Sequence, residues 1–160
     1  MTVREATTVP LASAPAPIAP RIGAMLGGVT LAATPPEDVL TALRAALAHH
    51  LVLVIPNQKL KATELRDFTS HFGRPFVHHA DVGVIRAEGV PEVLEMRKEP
   101  TGERLFGGSD WHADVTFRKP GAYLSVLHAL IIPSVGGDTG FASTIAAHGR
   151  NDQRVQHRKI

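Results

Sequence analysis

The sequence contains no cysteine. That excludes disulfides and thiolate metal sites, so any metal must be held by His, Asp or Glu. It also lacks a long apolar run. The longest aliphatic stretches, residues 51–55 and 129–132, are far too short to span a bilayer. The N-terminus has no signal-peptide core: Arg4 is cancelled by Glu5, and prolines interrupt the residues after them. The body lacks a basic excess as well, although the pI is about 9.3. Residues 148–160 hold Arg150, Arg154, Arg158 and Lys159 against Asp152, a net of +3. With the chain at +2, the first 147 residues net −1. A phosphate-binding face is therefore not expected, and the tail has no aromatic residue on which a base could stack. These absences point to a soluble, cytoplasmic protein with neither a membrane nor a nucleic acid as partner.

The 160 residues suffice for one domain, and 44% hydrophobic with 20% charged residues is an ordinary globular balance. Residues 1–17 are rich in Pro and Ala and read as a disordered lead-in. A strand with glycine bends is expected over residues 22–31, and a buried strand over residues 51–55. Between them Thr34-Pro35-Pro36-Glu37 reads as a helix start with Thr34 as cap. Val39, Leu40, Leu43, Ala46 and Leu47 then succeed one another at helical spacing. Thr63 is expected to cap a second helix, with Leu65, Phe68 and Phe72 on one face and Gly73 at its end. Residues 74–92 and 97–110 read as loops, and residues 93–96, 111–117, 122–130 and 139–142 as strands. Gly136-Gly137-Asp138 reads as a tight turn. Two helices and then short strands with long loops predict an α+β protein, a sandwich or barrel decorated by helices.

The chemistry centres on Trp111-His112-Ala113-Asp114-Val115-Thr116-Phe117. On a strand, residues i and i+2 point to the same side, so His112 and Asp114 would present an imidazole nitrogen and a carboxylate oxygen together. Those are two of the three donors of a 2-His-1-carboxylate site for non-haem Fe(II). The competing reading is a plain surface pair. His-x-Asp by itself decides little. With nine His in 160 residues, chance alone supplies about 0.4 such triplets, and His79-Ala80-Asp81 is a second one. Thr139, directly after a Gly-Gly-Asp turn, can donate one directed hydrogen bond to a carboxylate, or it is an ordinary strand threonine.

The wider context separates the two triplets. Trp-His-x-Asp-Val-Thr-Phe, then an apolar strand, then Pro133-Ser134-Val135-Gly136-Gly137-Asp138-Thr139, resembles the taurine dioxygenase family of Fe(II)/2-oxoglutarate-dependent dioxygenases. Ile22-Gly23-Ala24, residues 51–55 and Phe72-Gly73 occur upstream in the family's order. The resemblance covers about residues 18–146 and selects His112 and Asp114. It implies a double-stranded β-helix, or jelly roll, with flanking helices. It further implies iron on His112, Asp114 and a distal His, and 2-oxoglutarate chelating that iron. Thr139 and a distal Arg would hold the far carboxylate of 2-oxoglutarate. Molecular oxygen would be the second co-substrate, and a small organic substrate would be hydroxylated.

His78 matches a substrate-contacting His of the taurine enzymes, beside the alternative of a solvent-exposed loop residue. Two neighbouring taurine contacts are replaced, by Asp81 and Gly108. An acid at position 81 repels a sulfonate, so taurine itself is not expected as the substrate; the resemblance implies a small organic compound, an anion of another kind or a non-sulfonate.

The resemblance stops at about residue 146. Residues 147–160 read as an unrelated, basic and disordered tail, in the manner of a frameshift or a truncation. The distal His and Arg are then absent, the barrel is incomplete and the chain is expected to be inactive alone. A full-length form remains open to homo-oligomerisation. The alternative is a non-catalytic half-barrel that binds a small anion or a partner chain.

Overall fold

The computed structural model describes residues 13–77, 85–96, 111–114, 119 and 121–146. Seven elements are present among them: β1 (Ala16–Pro17), β2 (Ala24–Met25), α1 (Glu37–His50), β3 (Leu53–Val54), α2 (Ala62–Ser70), β4 (Ile85–Ala87) and β5 (Val90–Glu95). They belong to two compact units. The first comprises residues 1–29, 37–56 and 131–160, the second residues 30–36 and 57–130. No helix among the described residues is long and apolar enough to cross a membrane.

In the first unit β2 is the central strand of a three-stranded sheet. It runs antiparallel to β1, with Ala16 opposite Met25, and parallel to β3, with Ala24 opposite Leu53. A parallel pair needs a crossover, and α1 supplies it. The anticipated helical stripe packs inward: Leu40, Leu43 and Ala46 are buried with Ala24 and Leu26, while Val39 and Leu47 are half-buried. Glu37 and Asp38 in the first turn and His49 and His50 in the last suit the helix dipole.

The helix begins at Glu37, later than a Thr34 cap would place it. Pro35 precedes Pro36, and a residue before proline is pushed out of the α region, so the helix cannot extend back to Thr34. It closes on Leu51, whose N–H donates to Leu47 O at 2.7 Å. Leu51 has φ +65°, a left-handed cap usually given to glycine. The strands expected over residues 22–31 and 51–55 form ladders only at two residues each. Gly23 and Gly28, at φ +93° and +76°, bend the chain on either side of β2.

In the second unit α2 starts at Ala62, with Lys61 rather than Thr63 at the cap. The reason is Glu64, whose carboxylate reaches back to accept the Lys61 N–H at 2.7 Å. Phe68 is buried, and its ring meets Phe72 edge-on at 5.3 Å. The last turn tightens through Phe72 N–H to Thr69 O at 3.0 Å, and Gly73 comes next at φ +149°.

Residues 74–92 do not form the single loop expected. β4 and β5 make an antiparallel hairpin, with Ala87 opposite Val90 across a turn at Glu88-Gly89. Gly89 takes φ +70°, and the hairpin buries Ala87 and Val90.

The strands expected over residues 122–130 and 139–142 are not formed, nor are residues 111–114 strand. Residues 121–128 keep a strand's alternation nonetheless: Ala122, Leu124, Val126 and His128 are half-buried, while Tyr123, Ser125 and Leu127 are exposed. Among the described residues no strand forms a ladder with them, and an extended segment becomes a strand only through its ladder. Helices and two small sheets give the α+β character anticipated, and no closed barrel exists among the described residues.

Candidate metal centre

His112 and Asp114 both belong to the second unit. His112 Nε2 lies 3.3 Å from Asp114 Oδ1, with side chains 59% and 49% exposed. The pair therefore converges without the strand from which convergence was argued. The other carboxylate oxygen, Oδ2, accepts a hydrogen bond from the Ser125 hydroxyl at 2.8 Å. Sequence reasoning missed Ser125. Its only signal was parity: it sits on the exposed side of the alternating segment with Tyr123 and Leu127.

That segment is held at His128, on its half-buried side. His128 Nε2 stands 3.2 Å from Gln58 O and 3.5 Å from Leu60 N. Gln58 in turn accepts the Leu31 N–H on Oε1 at 3.0 Å.

An imidazole nitrogen and a carboxylate oxygen at this separation are donors suited to a divalent first-row metal. The residues present fit such an ion as two of its ligands. Among the described residues there is no group of three or more His, Asp or Glu able to hold one.

Thr139 belongs to the first unit. It lies just after Gly136 and Gly137, which take φ +74° and +79°. A Cβ on Gly137 would come 2.9 Å from Pro133 Cγ, so both backbone angle and space favour glycine in this turn. Thr139 is exposed just beyond it. His78, the second triplet at His79 and Asp81, Gly108, residues 115–117, the loop over residues 97–110 and the tail over residues 147–160 lie outside the described residues.

Residues 14–158 match the family described as taurine catabolism dioxygenase TauD, TfdA family. The chain belongs to this family. Among similar proteins is the (S)-phenoxypropionate/alpha-ketoglutarate-dioxygenase of Sphingobium herbicidovorans. It is 34% identical over 143 residues, which cover 89% of this chain and 49% of that protein. The alkylsulfatase of Acinetobacter baylyi is 35% identical, covering 80% of the chain and 38% of that protein. The alpha-ketoglutarate-dependent sulfate ester dioxygenase of Pseudomonas putida is 34% identical, covering 82% and 42%. The chain thus spans less than half the length of each of these relatives.

Proposed function

We propose that this chain forms part of an Fe(II)- and 2-oxoglutarate-dependent dioxygenase acting on a small anionic organic compound. The observation that carries this reading is the approach of His112 Nε2 to Asp114 Oδ1 at 3.3 Å, inside the residues matched to the family. In this reading His112 and Asp114 are two of the three iron ligands, and Thr139 holds the far carboxylate of 2-oxoglutarate. His78 is carried over as a substrate contact from the resemblance alone. Bound iron would supply the centre at which oxygen is activated, with 2-oxoglutarate converted to succinate and carbon dioxide. The chain's own residues bind and orient: His112 and Asp114 offer two adjacent donors, and the Thr139 hydroxyl offers one directed hydrogen bond. Names of the relatives support an anionic substrate, since phenoxypropionate and sulfate esters both carry a negative charge. The Asp81 and Gly108 replacements argue against taurine itself. We further propose that the helices and small sheets described above belong to a jelly-roll fold of the kind the resemblance implies.

Two protein donors hold iron less firmly than three, and a single hydroxyl does not replace an Arg–carboxylate pair. Purified 160-residue protein is therefore expected to release no succinate from 2-oxoglutarate above a His112→Ala control, at saturating Fe(II) and ascorbate. The same protein is expected to bind Fe(II) anaerobically in a calorimetric titration, and His112→Ala and Asp114→Ala are each expected to weaken that binding at least tenfold. Unchanged binding in both variants would remove the assignment.

A second reading, a non-catalytic module that pairs with another chain, draws on one observation. Residues 121–128 alternate like a strand but form no ladder among the described residues, and Tyr123 and Leu127 on their outer side are 89% and 61% exposed. Unpaired apolar edges of this kind accept a further strand. A defined partner together with no Fe(II) affinity would favour this reading over the first.

A further inference from the structure

We propose that Ser125 is a positioning residue for Asp114, and that it makes this carboxylate a one-oxygen metal ligand. The inference rests on the metal-site reading above and deepens it. Asp114 has two oxygens, and the structure gives each a different neighbour. Oδ1 stands 3.3 Å from His112 Nε2, and Oδ2 takes the Ser125 hydroxyl hydrogen at 2.8 Å. A carboxylate free to rotate could offer either oxygen, or both, to a cation. With Oδ2 engaged, Oδ1 is the oxygen left beside the imidazole nitrogen, so the two donors meet at one point. Hydrogen bonds to ligating carboxylates orient the ligand and tune its affinity in this way.

The backbone supports the same assignment. Ser125 lies 11 residues beyond Asp114, in a segment whose side chains alternate between half-buried and exposed. Three residues further on, His128 secures that segment next to Gln58 O and Leu60 N. Because the alternation has period two, a one-residue slip would turn Ser125 away from Asp114 and put an apolar neighbour, Leu124 or Val126, in its place. The His128 anchor therefore fixes which residue reaches the carboxylate. Ser125 is itself exposed and fills no core space, so the fold does not require its hydroxyl.

The test uses the whole 160-residue chain and Co(II) as the probe, with affinity from calorimetry and ligand geometry from the visible absorption bands of the bound ion. Ser125→Ala is expected to weaken Co(II) binding about tenfold and to alter those bands, with an unchanged far-UV circular dichroism spectrum. Ser125→Thr, which keeps the hydroxyl, is expected to restore affinity and bands to those of the parent. Should Asp114→Ala lose Co(II) while Ser125→Ala binds it as the parent does, the Ser125 role is overturned and the metal site stands. Failure of Ser125→Thr to rescue would also overturn it, because shape rather than the hydroxyl would then matter. If His112→Ala and Asp114→Ala both bind Co(II) normally, the metal-site reading itself fails and takes the Ser125 role with it.

Discussion

A histidine kept for metal binding and one kept for folding respond differently to removal, and His112→Ala separates the two. The His112 side chain is 59% exposed and that of Asp114 49%, with 3.3 Å between nitrogen and oxygen. An exposed pair of this kind contributes about 0–1 kcal/mol, because solvent competes for both groups and ordering them costs side-chain entropy. Little apolar surface is covered by so open an imidazole. Metal-free His112→Ala is therefore expected to lose no more than about 1 kcal/mol in urea unfolding monitored by circular dichroism. Co(II) then reveals the difference. An ion that binds only the folded chain at 100 times its dissociation constant adds about 2.7 kcal/mol. The parent is expected to gain that amount, and His112→Ala at the same Co(II) concentration to gain far less. A metal-free loss above about 2 kcal/mol would make His112 a structural residue. An equal gain in both proteins would place the metal elsewhere, and either result refutes the reasoning.

Two further outcomes concern the first unit. Leu51→Gly is expected to be more stable than Leu51→Ala by about 0.5–1 kcal/mol in the same assay. Relief of the left-handed backbone, φ +65°, outweighs glycine's usual entropic disadvantage. The reverse order would mean that this cap is not held in solution. Leu43→Ala, at a side chain only 1% exposed, is expected to cost about 2–5 kcal/mol through lost burial and a residual cavity.

The helices were legible in the sequence because their signal is local and repeated. Leu40, Leu43 and Ala46 recur at the spacing of one helical face, and all three are buried. The exact starts were less legible because they turn on single contacts. Glu64 reaching back to the Lys61 N–H moved one start, and Pro35 before Pro36 moved the other. The hairpin of β4 and β5 escaped notice because its turn is Glu88-Gly89, whereas the strong hairpin signals are Asn-Gly and Asp-Gly. Residues 122–130 were expected as a strand, yet residues 121–128 alternate in burial without forming a ladder among the described residues. Period two belongs to the single chain, whereas the ladder belongs to a pair. In the candidate site, the motif drew attention to His112 and Asp114, but strand geometry was the wrong reason for their approach. Parity alone pointed to Ser125, and no local rule links a serine to a carboxylate 11 residues earlier.

That difference between local and distant information mirrors the chemistry of the proposed site itself. His112 and Asp114 are separated by one residue, so a short motif can deliver two donors to one place whatever the rest of the fold does. Two donors 3.3 Å apart can take two adjacent positions around one metal. A facial arrangement needs a third donor, and among the described residues no group of three His, Asp or Glu supplies one. Local residues then set which metal is acceptable, through an imidazole and a carboxylate, and tertiary closure sets how firmly it is held. Ser125 stands between these two levels. It is distant enough in sequence to depend on folding, yet it acts on a ligand that the motif already provides. If the proposed site holds, affinity should depend on how the segment around Ser125 is held as well as on the motif, and His128 stands next to Gln58 and Leu60 in that segment.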